Sequence, residues 1–195
     1  MSRSSKIERN TNETQISAEI WLDGTGESRI KTGVGFFDHM LTLLAKHSLI
    51  DINLTCNGDI NVDAHHTVED VGIVLGQALI KALGDKAGIT RYGTATVPMD
   101  EALMMAALDI SGRGSFFSDF MIPAETLGNF DTELTKEFFI AVCNNAGINA
   151  HISQLAGENS HHIIEGAFKA FARALRQAIT SDPRVKGVPS TKGVL

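Results

Sequence analysis

The sequence is poor in three features that would each define a class of protein. Its two cysteines, Cys56 and Cys143, lie far apart without CxxC spacing, which argues against a disulfide framework or a zinc knuckle and fits a reducing cytosol. No run of about 18 apolar residues occurs, and the start at Met1 lacks the apolar stretch of a signal peptide. With a net charge of −6, no basic stripe is present for a phosphate backbone. We therefore expect a soluble, cytoplasmic protein without nucleic-acid or membrane partners.

What the chain does contain is a short motif used twice, at His65-His66-Thr67-Val68-Glu69 and His161-His162-Ile163-Ile164-Glu165. On a helix, residues four apart share a face, so the first histidine of each copy and its glutamate can bind one metal ion. The second histidine points about 100° away and must serve another ion or role. Imidazole and carboxylate ligands suit Mn, Fe, Co or Zn. One copy is equally consistent with a surface helix start, but two copies favour metal binding.

The remaining histidines lie in elements that accompany the two motifs. His39 and His47 lie on a predicted helix, where a lone histidine is more often structural, although the many imidazoles elsewhere favour a ligand role for His39. His151 falls on the polar phase of a predicted strand and is free to bind a ligand. Six histidines with Glu69 and Glu165 would supply two ions with three imidazoles and one carboxylate each. Because the two His-His ends would lie apart in one chain, we predict that the metals bridge subunits of a homo-oligomer.

Hydrophobic periodicity predicts strands, a helix, a strand and a long helix in each half of the chain. For the first half the predictions are a polar lead over 1–14, a strand over 15–22, a hairpin turn at 23–26, a returning strand over 28–32, a helix over 36–47, a strand over 50–56 and a helix over 65–83. For the second half they are strands over 94–97, 102–111 and 115–122, a loop over 123–131, a helix over 135–144, a strand over 148–153 and a helix over 160–179. Asp63 is the predicted cap of the first long helix, and Asn159 or Ser160 that of the second.

This repeated order indicates a duplication of roughly 90 residues. It predicts an α+β fold, a two-layer sandwich in which the strands are covered by helices on one face. We place the first half-domain at residues 1–88, the second at 89–185 and a glycine-rich tail at 186–195. At 195 residues, the chain can bury a sizeable core as one compact unit.

Four segments carry a resemblance to a known family: Asp63-Ala64-His65-His66-Thr67-Val68-Glu69-Asp70, Phe37-Asp38-His39-Met40, Ser160-His161-His162-Ile163-Ile164-Glu165 and Pro189-Ser190-Thr191-Lys192-Gly193. Together they closely resemble imidazoleglycerol-phosphate dehydratase, from about Arg9 to Lys192. The resemblance implies a fold of the ribosomal-protein-S5-domain-2 type, two Mn²⁺ ions per active site and a 24-subunit shell with sites at subunit interfaces. It also implies that the chain converts imidazoleglycerol phosphate to imidazoleacetol phosphate in histidine biosynthesis. The chain has no room for the phosphatase to which some relatives are fused.

The resemblance further implies roles for individual residues. The metal ligands would be His39, His65, His66, Glu69, His151, His161, His162 and Glu165. The catalytic residues would be Glu13, as the acid/base, with His65, Glu69, His161 and Glu165. The substrate would be bound by Glu13, His39, His47, Arg91, Arg113, Ser190 and Lys192, the last four at its phosphate. From the sequence alone, either arginine fits a solvated surface charge equally well.

The reaction gives a reason for paired cations. The C2 proton of the glycerol chain is not acidic, because no carbonyl group adjoins it. An imidazole ring that bridges two cations can become an imidazolate, since the ions stabilise the anion. Its electron density can then expel the C3 hydroxyl through a diazafulvene-like intermediate, while a carboxylate such as Glu13 takes the C2 proton.

Two other interpretations remain open. A dimetal phosphate-ester hydrolase would use a bridging hydroxide, although such sites usually contain bridging aspartates. A metal-clamped structural or storage assembly would leave Arg91, Arg113 and the tail at 189–193 without a purpose.

Overall fold

A computed structural model of the chain describes residues 3–195; Met1 and Ser2, where the predicted polar lead and first half-domain begin, lie outside the described residues. The elements of the first half are β1 (Ser4–Asn10), β2 (Thr14–Trp21), β3 (Ser28–Lys31), α1 (Gly35–Ser48), β4 (Asp51–Gly58) and α2 (His65–Leu83). Those of the second half are β5 (Tyr92–Met99), β6 (Ala102–Asp109), β7 (Ser115–Ser118), β8 (Thr126–Leu127), β9 (Phe130–Asp131), α3 (Leu134–Ala146), β10 (Asn149–Ala156) and α4 (Ser160–Ile179).

The strands form two four-stranded sheets with the same topology. The first has the order β1-β2-β4-β3, and the second has the order β5-β6-β10-β7. In each sheet the first three strands pair antiparallel, and the last strand joins its neighbour in parallel. Strands β8 and β9 form a small separate hairpin before α3. This correspondence confirms the predicted duplicated α+β fold.

One face of each sheet is buried beneath helices. In β2, Ile16, Ala18 and Ile20 are buried, and Ala18 and Ile20 lie opposite Leu54 and Ile52 of β4. Because side chains alternate along a strand, this register puts all of them on the same face. Helices α1 and α2 cover the first sheet, while α3 and α4 cover the second.

The two helical layers pack against each other, so the helices lie between the two sheets. Helix α2 contacts α3, and α1 contacts α4. Gly72 of α2 allows the first of these approaches, because a Cβ there would lie 2.8 Å from the Cβ of Ala141. The rings of Phe138, Phe139 and Phe168 fill the centre, all fully buried. Within residues 3–195, no helix is long and apolar enough to cross a membrane.

Four local predictions were wrong. Strand β3 is not the second arm of a hairpin with β2; it pairs in parallel with β4, because α1 carries the chain across between β3 and β4. The polar lead contains β1, a sheet-edge strand in which Ser5 is the one buried residue, so it lacks an apolar signal. The strand predicted over 115–122 ends at Ser118, and the loop predicted over 123–131 contains β8 and β9.

The C-terminal tail packs against the connection between α2 and β5. The N–H of Gly88 donates to the carbonyl oxygen of Gly187 at 2.8 Å, and the Lys86 ammonium donates to the Leu195 oxygen at 2.9 Å. These contacts fix the segment that contains Ser190 beside the start of the second sheet.

Candidate active site

Both His-His motifs begin their helices, and capping fixes where the imidazoles project. The side chain of Asn159 accepts the N–H of His161 at 2.9 Å and that of His162 at 3.2 Å, so Asn159 is the cap of α4. The hydroxyl of Ser160, the alternative cap, accepts the N–H of Ala124 instead. In the first motif the N-cap of α2 is Ala64 and not the predicted Asp63, which lies one residue earlier and accepts the N–H of His65 at 2.8 Å.

Three predicted metal ligands converge at the second motif. Glu165 Oε2 lies 3.1 Å from His161 Nε2 and 3.5 Å from His39 Nε2. His39 comes from α1 in the first half of the chain, so both halves build the group. Ligand atoms bound to one divalent ion at about 2.1 Å lie roughly 3.0–4.2 Å apart. The three side chains therefore fit a single ion.

Lys169 orients the carboxylate of this group. Its ammonium lies 2.5 Å from Glu165 Oε1, which leaves Oε2 directed at the two imidazoles. Glu165 is only 6% exposed. Burial tends to raise the pKa of Glu165, but Lys169, with smaller contributions from His161 and His39, outweighs burial and holds that pKa below its usual value. Glu165 is consequently an anion at neutral pH, as a metal ligand must be.

Two carboxylates at the β5–β6 turn contact the other histidine of this motif. His162 Nδ1 lies 2.6 Å from Glu101 Oε2, and His162 Nε2 lies 3.6 Å from Asp100 Oδ2. The hydrogen bond to Glu101 raises the pKa of His162. The same bond, with a backbone N–H from Asn159, lowers the pKa of Glu101 to about 2. Glu101 is therefore fully ionised at neutral pH.

The first motif has a matching environment. His66 Nδ1 lies 3.0 Å from Asp59 Oδ2, which raises the pKa of His66, and His66 Nε2 lies 3.8 Å from Glu13 Oε1. His65 Nε2 lies 4.0 Å from Glu69 Oε2. In both motifs the second histidine therefore has one carboxylate at Nδ1 and another near Nε2.

His151 lies apart from both motifs, on the face of the second sheet that points away from the helices. Its exposed ring stacks on Phe117 with 4.7 Å between ring centres. Among residues 3–195, His39, His161 and Glu165 are the only group of three or more potential ligands whose atoms all lie within 4.8 Å of one another. One chain thus brings together three of the eight predicted ligands.

The predicted phosphate-binding residues cluster around the C-terminal tail. The Arg91 guanidinium donates to both oxygens of Asp109, at 2.7 and 3.1 Å, and to the Pro189 carbonyl at 2.8 Å. The Ser190 hydroxyl accepts the N–H of Lys192 at 3.2 Å. Arg113 follows Gly112, whose backbone abuts Leu195, and the side chains of Arg113 and Lys192 are both exposed.

His47 lies two helical turns after His39, next to α4. Burial lowers the pKa of His47, and the positive charges of Lys169 and Arg173 lower it further. His47 is consequently neutral at pH 7. It lies on the same helix as His39 and beside α4, the helix that carries Glu165.

Comparison with known proteins decides the family. The family model described as imidazoleglycerol-phosphate dehydratase matches residues 32–175. The chain belongs to the imidazoleglycerol-phosphate dehydratase family. The imidazoleglycerol-phosphate dehydratases of Desulforamulus reducens and Acetivibrio thermocellus are 58% and 57% identical to it, and both matches cover the whole of both chains.

Solved structures of this family have the same fold. The crystal structure of imidazoleglycerol-phosphate dehydratase from Staphylococcus aureus matches with a TM-score of 0.84 and 44% identity, covering 92% of this chain and 99% of that one. The Pyrococcus furiosus structure, described as a complex with (S)-C348, matches with a TM-score of 0.83 and 40% identity, covering 97% of this chain and all of that one. These matches confirm the predicted family, its hydro-lyase class and the fold.

Sequence reasoning missed four residues of this candidate site. Lys169 had a usable signal, because it follows Glu165 by four positions on the same helix. Asp59, Asp100 and Glu101 lie in turns outside any motif, and only the folded chain brings them to the histidines. The cysteines are not candidate ligands, since burial raises the pKa of Cys56 to about 11 and that of Cys143 to about 12.

Proposed function

We propose that this chain converts imidazoleglycerol phosphate to imidazoleacetol phosphate in histidine biosynthesis, using two Mn²⁺ ions per active site. Besides membership of the family, the observation that carries the proposal is the convergence of His39, His161 and Glu165. Neutral imidazoles with an ionised carboxylate are a donor set that Mn²⁺ accepts. When bound, the ions would acidify the substrate's imidazole ring and stabilise negative charge on it.

We propose that several copies of the chain complete each site, in a homo-oligomer of 24 subunits with sites at the interfaces. The location of His151 supports this, because it lies on an outward sheet face, away from the other predicted ligands. Phe117, which pairs with His151 in the β7–β10 register, and Leu155, later in β10, are 52% and 54% accessible in the single chain. Apolar side chains at that exposure favour contact with another protein surface. A cytoplasmic location remains our prediction, and two buried cysteines without a disulfide fit a reducing compartment.

Glu13 is suited to move the proton from C2. It lies at the β1–β2 turn with an exposed carboxylate, 3.8 Å from His66 Nε2, so it borders a predicted metal ligand without being buried. General acid/base catalysis needs such a group within hydrogen-bond reach of the reacting carbon. The imidazoles and carboxylates of the two motifs would fix the substrate ring, while Glu13 acts on its side chain.

The phosphate would be held by Arg91, Arg113, Ser190 and Lys192, in two different ways. Arg91 is engaged by Asp109 and the Pro189 carbonyl, so its main effect is to hold the tail in place. Arg113 and Lys192, whose side chains are exposed, would present their cationic groups to the phosphate. Binding energy from the phosphate, remote from the bonds that change, orients the substrate for reaction.

Product analysis with imidazoleglycerol phosphate tests the proposal. Protein stripped with a chelator should lose activity and recover it on addition of Mn²⁺, with imidazoleacetol phosphate as the product. His161→Ala should lower the number of Mn²⁺ ions bound per chain. Undiminished turnover by demonstrably metal-free protein would contradict the proposal, and release of inorganic phosphate would instead support the dimetal phosphate-ester hydrolase.

A further inference from the structure

The two carboxylate oxygens of Glu101 contact different groups. Oε1 accepts the backbone N–H of Asn159 at 2.9 Å and that of Glu158 at 3.3 Å. Oε2 lies 2.6 Å from His162 Nδ1. An ionised carboxylate can only accept hydrogen bonds, so Nδ1 must carry the proton. In the neutral imidazole, Nε2 is then left with a free lone pair.

Asp59 makes the corresponding contact with Nδ1 of His66, although it lies at a different place in the fold. Asp59 Oδ2 lies 3.0 Å from His66 Nδ1, while its Oδ1 is buried and, within residues 3–195, has no hydrogen-bond partner. Asp59 follows β4, whereas Glu101 lies in the β5–β6 turn. The duplication therefore did not copy this carboxylate, yet both second histidines have one at Nδ1. Because two non-equivalent positions supply the carboxylate, we attribute it to a need that both histidines share and not to duplication of one ancestral residue.

We infer that Glu101 is a positioning residue that holds His162 as the Nδ1–H tautomer, with Nε2 directed at a divalent metal ion. The inference rests on the proposed function, because it takes His162 to be a metal ligand. Histidines that bind metals usually donate their other ring N–H to a carboxylate or carbonyl oxygen, which fixes the tautomer and the ring orientation.

The two carboxylates respond differently to replacement by an amide, and this gives a sharp test. In Glu101→Gln, the single amide oxygen is needed for the two backbone N–H groups, so the NH₂ group faces His162 Nδ1. Nδ1 must then accept, which moves the ring proton to Nε2 and blocks metal binding there. In Asp59→Asn, the amide oxygen can stay on His66, and the NH₂ group takes the position of Oδ1, which has no hydrogen bond to lose among the residues that the structure describes.

The experiment measures Mn²⁺ binding by the full-length protein, with free Mn²⁺ detected by electron paramagnetic resonance. Glu101→Gln should weaken binding by about tenfold to a hundredfold, the range for loss of such a partner, and Asp59→Asn should weaken it less. Glu125→Gln, in an exposed loop, controls for the lost charge. Glu101→Asp, which keeps two acceptor oxygens, should lie closer to the wild type, whereas a loss equal to that of Glu101→Gln would mean that general loosening of the turn causes the effect.

A double-mutant cycle separates positioning from a general structural role. In a His162→Ala background, Glu101→Gln should cause no further loss of Mn²⁺ affinity, because its effect passes through His162. An undiminished further loss, or wild-type affinity in Glu101→Gln alone, overturns the inference while leaving the proposed function intact. If the wild-type protein bound no Mn²⁺, the proposed use of this metal and the inference would both fail.

Discussion

Replacing Lys169 with methionine should change the ionised Glu165 carboxylate from a group that stabilises the fold into one that destabilises it. The dependence of stability on pH should therefore change its sign at this residue. In the wild type the pKa of Glu165 lies below 4.5, so its charged form stabilises the fold above that pH, and the contribution is lost as the pH falls through the lowered pKa. Lys169→Met removes the closest positive charge but leaves the burial. The pKa of Glu165 should then rise above 4.5, and the carboxylate should destabilise the metal-free protein at pH 7.

The expected magnitude follows from the burial of the pair. The side chains of Glu165 and Lys169 are 8% and 17% exposed, and removing one partner of a buried ion pair typically costs about 3–5 kcal/mol. His39 and His161 remain beside the carboxylate, so we expect a loss of about 3 kcal/mol, at the lower end of that range. For a chain of this length, this corresponds to a melting temperature about 6–12 °C lower.

Calorimetry of metal-free protein, at one fixed protein concentration, can check both the size and the pH dependence. The difference between Lys169→Met and the wild type should narrow between pH 7 and pH 5, because the variant's carboxylate becomes protonated. Lys81→Met is the matched control on α2: its exposed ammonium donates to the Lys6 carbonyl, and a surface change of this kind costs within about 0.5 kcal/mol. A pH-independent difference, or one below about 1 kcal/mol, would refute the role assigned to the Lys169–Glu165 pair.

Two further predictions concern catalysis and packing. Glu13→Gln should lower kcat by about a hundredfold or more while KM changes little, because general acid/base groups typically contribute 10²–10⁴-fold; steady-state kinetics with near-normal kcat would remove Glu13 from the proton transfer. Gly72→Ala should lower the free energy of unfolding by about 1–3 kcal/mol, since the new methyl would lie 2.8 Å from Ala141 Cβ and 3.0 Å from the Phe138 carbonyl oxygen. A urea midpoint equal to that of the wild type would show that α2 and α3 can separate without cost.

Secondary structure was predictable where burial leaves a periodic signal. Strand β2 alternates between buried and partly exposed residues along its length, and both long helices have continuous apolar stripes. Strand β1 has no such stripe. It lies at the edge of the sheet, where few side chains are buried, and most of its residues are polar. The partner of β3 was not predictable either, since it is decided by the crossover through α1 and by Asp51, which accepts the N–H groups of Thr25 and Glu27.

The candidate site divides in the same way. Spacing alone places His161 and Glu165 together, because four residues make about one helical turn. The addition of His39 depends on how α1 packs against α4, which the motif does not encode. Carboxylates in turns, such as Glu101, carry no periodic signal at all. The sequence therefore predicted the contacts within one helix, whereas the contacts between different elements could be identified only from the fold.

The contribution of His39 to a group centred on Glu165 has a consequence for how such a protein could arise. The first half alone holds His39, and the second half alone holds His161 and Glu165, so either half as a separate peptide could form the three-ligand group only by meeting a second molecule. Joining two such units in one chain makes that encounter intramolecular, at a fixed high effective concentration. Gene fusion would thus have made assembly of the three-ligand group independent of how dilute the protein is.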